Sequence, residues 1–240
     1  MEHILEAKKL EVHLGGQQVI DSLDLTIQKN DFLTILGPSG SGKSTLLNCM
    51  ANIVKPSGGS LSYKSKQLKA RMMFQEYGLF PWRTALQNII LGMNELGISD
   101  EEKTKLAHHW LSWVGLNQDA NKYPKELSGG MKQRVALAQC LVSGAEVILM
   151  DEPFGALDSQ MREVLQDLVL KHWRQEGGTI IFVTHNIREA IYLGNRLLIV
   201  GNKMVPVAEF DTPVTNDRMD PKVLEQEKEV RKIIKNMSRS

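Results

Sequence analysis

The sequence predicts an α/β fold in which a strand-rich core is interrupted by a mostly helical block. Three observations carry this. Phe32-Leu-Thr-Ile-Leu36 is a short apolar run ending in a glycine turn, the pattern of a buried strand, and an apolar helix follows it over about 43–53. From about residue 84 to 143 the apolar period becomes helical. Strands then return at 146–150, 179–183 and 195–200, with a helix over about 157–176 between the first two.

Taken in order, residues 3–36 read as three β segments. Alternation is clear in Leu23-Asp-Leu-Thr-Ile27, and Gly15-Gly16 marks a hairpin turn, so the N-terminal segments are antiparallel. Two short strands follow near 60–63 and 71–74. Within the helical block, Ser99-Asp-Glu-Glu102 is a capping box ahead of Leu106, Trp110, Leu111 and Val114 on one face. Trp110, Trp113 and Trp173 read as helix packing residues. His108 and His109 are neighbours on a helix, point apart and face solvent. Residues 221–236 read as a charged terminal helix. The organisation is therefore a core of 1–75 and 146–210, a helical subdomain of 76–145, and a tail of 211–240 too short for a further regulatory domain.

Composition narrows the function. The 240 residues carry a formal net charge of +1, so there is no basic field for nucleic acid. The opening Met1-Glu-His-Ile-Leu-Glu-Ala-Lys-Lys9 lacks the apolar stretch of a secretory signal, and no run approaches the roughly 18 apolar residues of a membrane span. The expectation is a cytoplasmic protein whose membrane contact comes through a partner. Cys49 and Cys140 have no metal spacing and are expected to be reduced, buried, small hydrophobes.

Residues 37–45 read Gly37-Pro38-Ser39-Gly40-Ser41-Gly42-Lys43-Ser44-Thr45, the phosphate-binding loop G-x-x-x-x-G-K-[ST]. Glycines let the backbone turn tightly, so successive N–H groups face phosphate oxygens, and the next helix adds the partial positive charge of its N-terminus. Lys43 supplies a full charge for the β- and γ-phosphates, and Ser44 a hydroxyl for magnesium. The bound group is thus a nucleoside triphosphate with Mg2+. Val147-Ile-Leu-Met150 runs into Asp151-Glu152 at the carboxyl end of a strand, where ligands of open α/β sheets sit. Asp151 is placed to reach magnesium through water, and Glu152 to polarise an attacking water as general base. In Leu127-Ser-Gly-Gly-Met-Lys-Gln-Arg134, Ser128 is a helix N-cap, and Gly129 and Gly130 let the backbone approach a ligand.

The phosphate loop, the Leu127-Ser-Gly-Gly130 stretch and Asp151-Glu152, in that order and spacing, resemble the ATP-binding cassette (ABC) family of ATPases over about residues 5–210. The resemblance implies a P-loop NTPase (RecA-like) core with an inserted helical subdomain, and ATP with Mg2+ as ligands. It gives Gln75 the role of the glutamine that touches magnesium and the catalytic water. It places Asp158, in Phe154-Gly-Ala-Leu-Asp158, on a dimer interface, and His185 at the γ-phosphate. It also implies a head-to-tail homodimer, in which Ser128-Gly129-Gly130 of one copy closes over ATP on the phosphate loop of the other. Three positions depart from the family pattern. Leu14 stands where an aromatic usually stacks on adenine, Asn186 follows the histidine where aspartate is common, and Gln139-Cys140 replaces an Arg-Ala pair.

Glu76-Tyr-Gly-Leu-Phe-Pro-Trp82-Arg-Thr84 resembles the L-x-P-W-x-T stretch of ATPases in the nitrate, sulfonate and taurine importer group. Two readings of it stand. Phe80 and Trp82 either fold back onto the helical block or form a docking surface for a membrane permease. The importer reading implies transmembrane permease subunits, an external solute-binding protein acting indirectly, and a place on the inner face of the cell membrane. The alternative is a soluble ABC-type mechanochemical ATPase for cluster assembly or DNA repair. A GTPase is disfavoured, because Asn121-Lys-Tyr-Pro124 lacks the aspartate of N-K-x-D.

Overall fold

A computed structural model describes residues 2–65, 68, 70–74, 78–155, 157–215 and 217–237. The chain opens with strands β1 (His3–Leu14) and β2 (Gln17–Gln28), then β3 (Phe32–Leu36), helix α1 (Lys43–Met50), β4 (Gly58–Tyr63) and β5 (Ala70–Met73). Helices α2 (Ala85–Gly92), α3 (Asp100–Trp113) and α4 (Gly129–Leu141) form the helical block. Strand β6 (Val147–Asp151), helix α5 (Ser159–Glu176), β7 (Thr179–Thr184), α6 (Ile187–Leu193) and β8 (Arg196–Val200) follow, and β9 (Pro206–Asp211) and α7 (Pro221–Met237) end the fold.

β1 and β2 form an antiparallel hairpin, with Gly15 and Gly16 at φ 57° and 80° in the turn, a region that only glycine enters freely. β4 pairs with the other edge of β1, giving the order β2-β1-β4. The larger sheet has the order β5-β6-β7-β3-β8-β9, parallel except for β9. β3, β6 and β7 are buried along their whole length, as strands covered on both faces must be. The period of two divides their side chains. Leu33, Ile35, Val147, Leu149, Ile181 and Val183 face the core shared with the antiparallel sheet and α1. Phe32, Ile148, Met150, Ile180 and Phe182 face the core shared with α2–α5. Among the described residues no helix is long and apolar enough to cross a membrane.

Several boundaries differ from the sequence reading for visible reasons. α1 stops at Met50 because Asn52 turns left-handed at φ 58°, and the N–H groups of Ile53 and Val54 fold back onto the Asn48 carbonyl. α5 starts at Ser159 because Asp158 caps it, accepting from the Met161 N–H at 2.9 Å. The capping box at Ser99 and Glu102 is present, and a second one joins Thr84 and Gln87 at the start of α2. β9 has no counterpart in the sequence reading. Its residues are exposed or half-buried, so no apolar run marks it.

Candidate nucleotide-binding site

Strand order builds the site. β6, β7 and β3 are neighbours and parallel, so the segments leaving their carboxyl ends lie side by side. Those segments begin with Glu152, His185 and Gly37.

The phosphate loop is held by its surroundings. Gly40 and Gly42 have φ of 79° and 102°. A Cβ at Gly42 would lie 2.7 Å from the Val19 carbonyl, and one at Gly37 would lie 2.7 Å from Val200 Cγ2. Glycine is therefore required at both by close approach of β2 and β8. The Ser41 carbonyl accepts from the Met204 N–H at 2.8 Å, and the Leu46 N–H donates to the Gly42 carbonyl at 2.9 Å, starting α1. Pro38, Ser39, Gly40 and Ser44 are exposed and Thr45 is half-buried, whereas Ser41 and Lys43 are buried.

Lys43 Nζ donates to the carbonyls of Gly37 at 2.9 Å and Pro38 at 2.7 Å. Burial holds its ammonium below the usual lysine range, opposed by the nearby Glu152 and Asp151 carboxylates. Asp151 is buried at the end of β6. Burial pushes its carboxyl up, while a hydrogen bond from the Ser44 hydroxyl pulls it back. Glu152 sits at φ 46°, a strained conformation for a non-glycine residue. Its N–H donates to the Val183 carbonyl at 3.1 Å, and its Oε1 lies 3.0 Å from His185 Nδ1. Residues 37–45, Asp151, Glu152 and His185 therefore form one cluster. A cavity of about 560 Å³ opens beside it, lined by Gly37, Pro38 and His185 together with Ile199, Ile234 and Met237.

The other sequence candidates lie elsewhere or beyond view. Ser128 and Gly129 are exposed and Gly130 half-buried at the start of α4, where the Ser128 hydroxyl accepts from the Met131 N–H at 3.3 Å. Asp158 caps α5, close enough to α4 to act on the charge of Arg134. Gln75 lies outside the described residues. Leu14 is exposed at the end of β1, beside the hairpin turn. Cys49 and Cys140 are free and buried, and burial raises their thiols to about 11 and about 12.

The segment before α2 has an anchor that sequence reasoning missed. Trp82 is 69% exposed and stacks edge-on against Phe80 at 5.3 Å, so it does not fold into the helical block. Asn88 is fully buried beneath them. Its side-chain amide donates to the carbonyls of Phe80, Arg83 and Thr84, and its oxygen accepts from the Phe80 N–H at 2.8 Å. Gln139, noted as a departure, donates to the Asn88 carbonyl at 2.9 Å and so ties α4 to α2.

A parallel sheet with a phosphate loop at its carboxyl edge, and a buried aspartate and a glutamate–histidine pair beside it, defines a P-loop nucleotide-binding protein. The ABC transporter family profile matches residues 20–155. An uncharacterised ABC transporter ATP-binding protein of Methanocaldococcus jannaschii is 38% identical over 237 residues, covering 95% of this chain and 89% of that one. A taurine import ATP-binding protein of Roseobacter denitrificans is 43% identical over 188 residues, covering 76% and 70%. An aliphatic sulfonates import ATP-binding protein of Bacillus cereus is 41% identical over 202 residues, covering 82% and 79%. Among solved structures, a dimeric ATP-binding cassette in a post-hydrolysis state, bound to ADP and Pi, has a TM-score of 0.78 at 30% identity, covering 88% of this chain and all of that one. The chain belongs to the ABC transporter family.

Proposed function

We propose that this chain is the ATP-binding and ATP-hydrolysing subunit of an ABC importer, acting as a homodimer on permease subunits at the cytoplasmic face of the membrane. The observation that carries the reading is the convergence of the phosphate loop, Asp151, Glu152 and His185 at the carboxyl ends of three adjacent strands. The import names of the relatives support uptake rather than a soluble mechanochemical role, and so does the exposed Trp82, which a protein without a permease does not need. The solute is then selected by the permease and an external binding protein.

ATP phosphates are held by the loop N–H groups and the α1 N-terminus, and Lys43 turns its donors from the Gly37 and Pro38 carbonyls to phosphate oxygens. Ser44 and Asp151 are hard oxygen donors side by side, the set that Mg2+ takes together with phosphate and water, and they would hold it. Bound there, Mg2+ would supply charge stabilisation to the transferring phosphoryl group. Glu152 accepts the proton of the attacking water, and His185, paired with it, donates toward the γ-phosphate oxygen. Gln75 is proposed to orient that water, and Ser128, Gly129 and Gly130 of a second copy to close over the nucleotide, with Asp158 along the shared interface.

The test separates binding from chemistry. Lys43→Ala should weaken ATP binding, because the charge facing the phosphates is lost. Glu152→Gln should keep binding and lose most turnover, by roughly 100-fold or more, as expected when a general base is removed. Nucleotide affinity and phosphate release are measured on both. Normal turnover by Glu152→Gln removes that residue from the mechanism.

A further inference from the structure

Helix α6 carries a buried carboxylate that the chemistry above does not use. Glu189 is 8% exposed, and a buried carboxylate is retained only with partners that compensate for lost water. Its partners come from two other elements. The Thr184 hydroxyl donates to Oε2 at 2.7 Å, and the Gln166 amide to Oε1 at 3.2 Å. Arg162 Nε stands 3.7 Å from Oε1.

Two of these partners lead to a reacting residue, whereas Gln166 leads away, its oxygen accepting from Arg218 at 2.7 Å. Arg162 donates to the carbonyls of Phe154 at 3.4 Å and Leu157 at 3.0 Å, in the segment that leaves Glu152. The Glu152 carbonyl accepts from the Gly155 N–H at 3.2 Å within that same turn. On the other side, the Thr184 hydroxyl oxygen accepts from the Asn186 N–H at 3.0 Å, bracketing His185. The Asn186 side chain accepts from the N–H groups of Arg188 at 3.0 Å and Glu189 at 3.4 Å, fixing the start of α6. A path of hydrogen bonds, joined at its middle by the Arg162–Glu189 ion pair, thus runs from the backbone after Glu152 to the backbone on either side of His185. Burial pushes the Glu189 carboxyl up, while Thr184, Arg162 and His185 pull it back.

We propose that Glu189 and Arg162 are a positioning pair for ATP hydrolysis, holding the segments of Glu152 and His185 in one fixed relation so that both reach the same γ-phosphate. This rests on the hydrolytic reading above. The strain at Glu152 gives the pair its task, since a left-handed glutamate persists only where its surroundings over-determine it.

The full chain is tested as wild type, Glu189→Gln, Arg162→Gln and the double variant, with MgATP turnover, equilibrium MgATP binding and Tm measured on each. Glu189→Gln keeps the shape and an acceptor for Thr184 but removes the charge facing Arg162. Each single variant is expected to lower kcat about ten- to a hundred-fold with the MgATP Kd within about twofold, the cost of misplaced reacting groups rather than lost binding. The double variant should be no slower than the slower single one, since both break one connection. Unchanged kcat with a lowered Tm marks a merely structural role and overturns the proposal, and so do single effects that multiply in the double variant. Arg162 is partly exposed, so Arg162→Gln decides alone if Glu189→Gln does not fold, and unchanged kcat there also overturns the pair. A hydrolysing wild type with unaffected variants removes only the pair. A wild type that binds MgATP without hydrolysing it removes the hydrolytic reading itself.

Discussion

Lys43, proposed to face the ATP phosphates, is held in place by its own loop. Its ammonium donates to two carbonyls of its own loop, so it is buried and oriented by the fold. Pre-orientation of this kind lowers the ordering cost of binding. At this scale the sequence was informative, because Lys43, Ser44, Asp151 and Glu152 lie in short contiguous motifs whose spacing sets their chemistry. Leu14 shows what one residue changes. It is exposed at the tip of the hairpin whose return strand lays the Val19 carbonyl against Gly42, and on the proposed reading of the ATP site it would offer adenine an apolar contact without an aromatic face. Leu14→Tyr should tighten ATP binding by about 1 kcal/mol, a typical aromatic-pair contribution. Calorimetric titration with ATP checks this. Unchanged or weaker binding would mean that a different side chain covers the base.

At the scale of elements, the segment before α2 is the informative case. Phe80 and Trp82 stand out in the sequence, but apolarity alone left open whether they were core or surface. Asn88 decides it by holding four polar groups of the turn from below, which leaves Trp82 in solvent. Nothing in the sequence around Asn88 marks which backbone groups its amide will meet, so this role was not legible. Two variants should separate anchor from contact. Trp82→Ala should change the stability of the free subunit by no more than about 0.5 kcal/mol and keep basal ATPase, yet lose capture by the permease. Asn88→Ala should cost about 1–3 kcal/mol, because buried polar groups lose their partner. Denaturant unfolding and permease pull-down measure both. Retained capture by Trp82→Ala would sink the docking role.

At the scale of the molecule, the proposed homodimer would give the site of one chain a second wall. Ser128 and Gly129 stand exposed at a helix N-terminus, a natural partner for phosphate, and they are not in the cluster around Lys43. A second copy would bring them to it. With Glu152→Gln and MgATP the chain should shift from monomer to dimer, and Ser128→Arg should block the shift by placing bulk at the closing face. Light scattering reads both. A monomer that has bound MgATP at high protein concentration would count against a shared site on the free subunit.

By itself the sequence determined the parts whose information is local. These are the phosphate loop between strand and helix, the capping box at Ser99, the Asp151-Glu152 strand end and the hairpin at Gly15-Gly16. Each depends on neighbours within a few residues, so periodicity and spacing record it. Only the tertiary structure decided what depends on distant pairing. The order β6-β7-β3 puts Gly37, Glu152 and His185 side by side although they are far apart in the chain. β9 exists because β8 offers it an edge, not because its own residues are apolar. No motif marks Glu189 in the sequence, and it is buried because α6 packs where Arg162 and Gln166 of α5 can meet it. Long-range contacts leave no periodic trace, and that is where the sequence stopped.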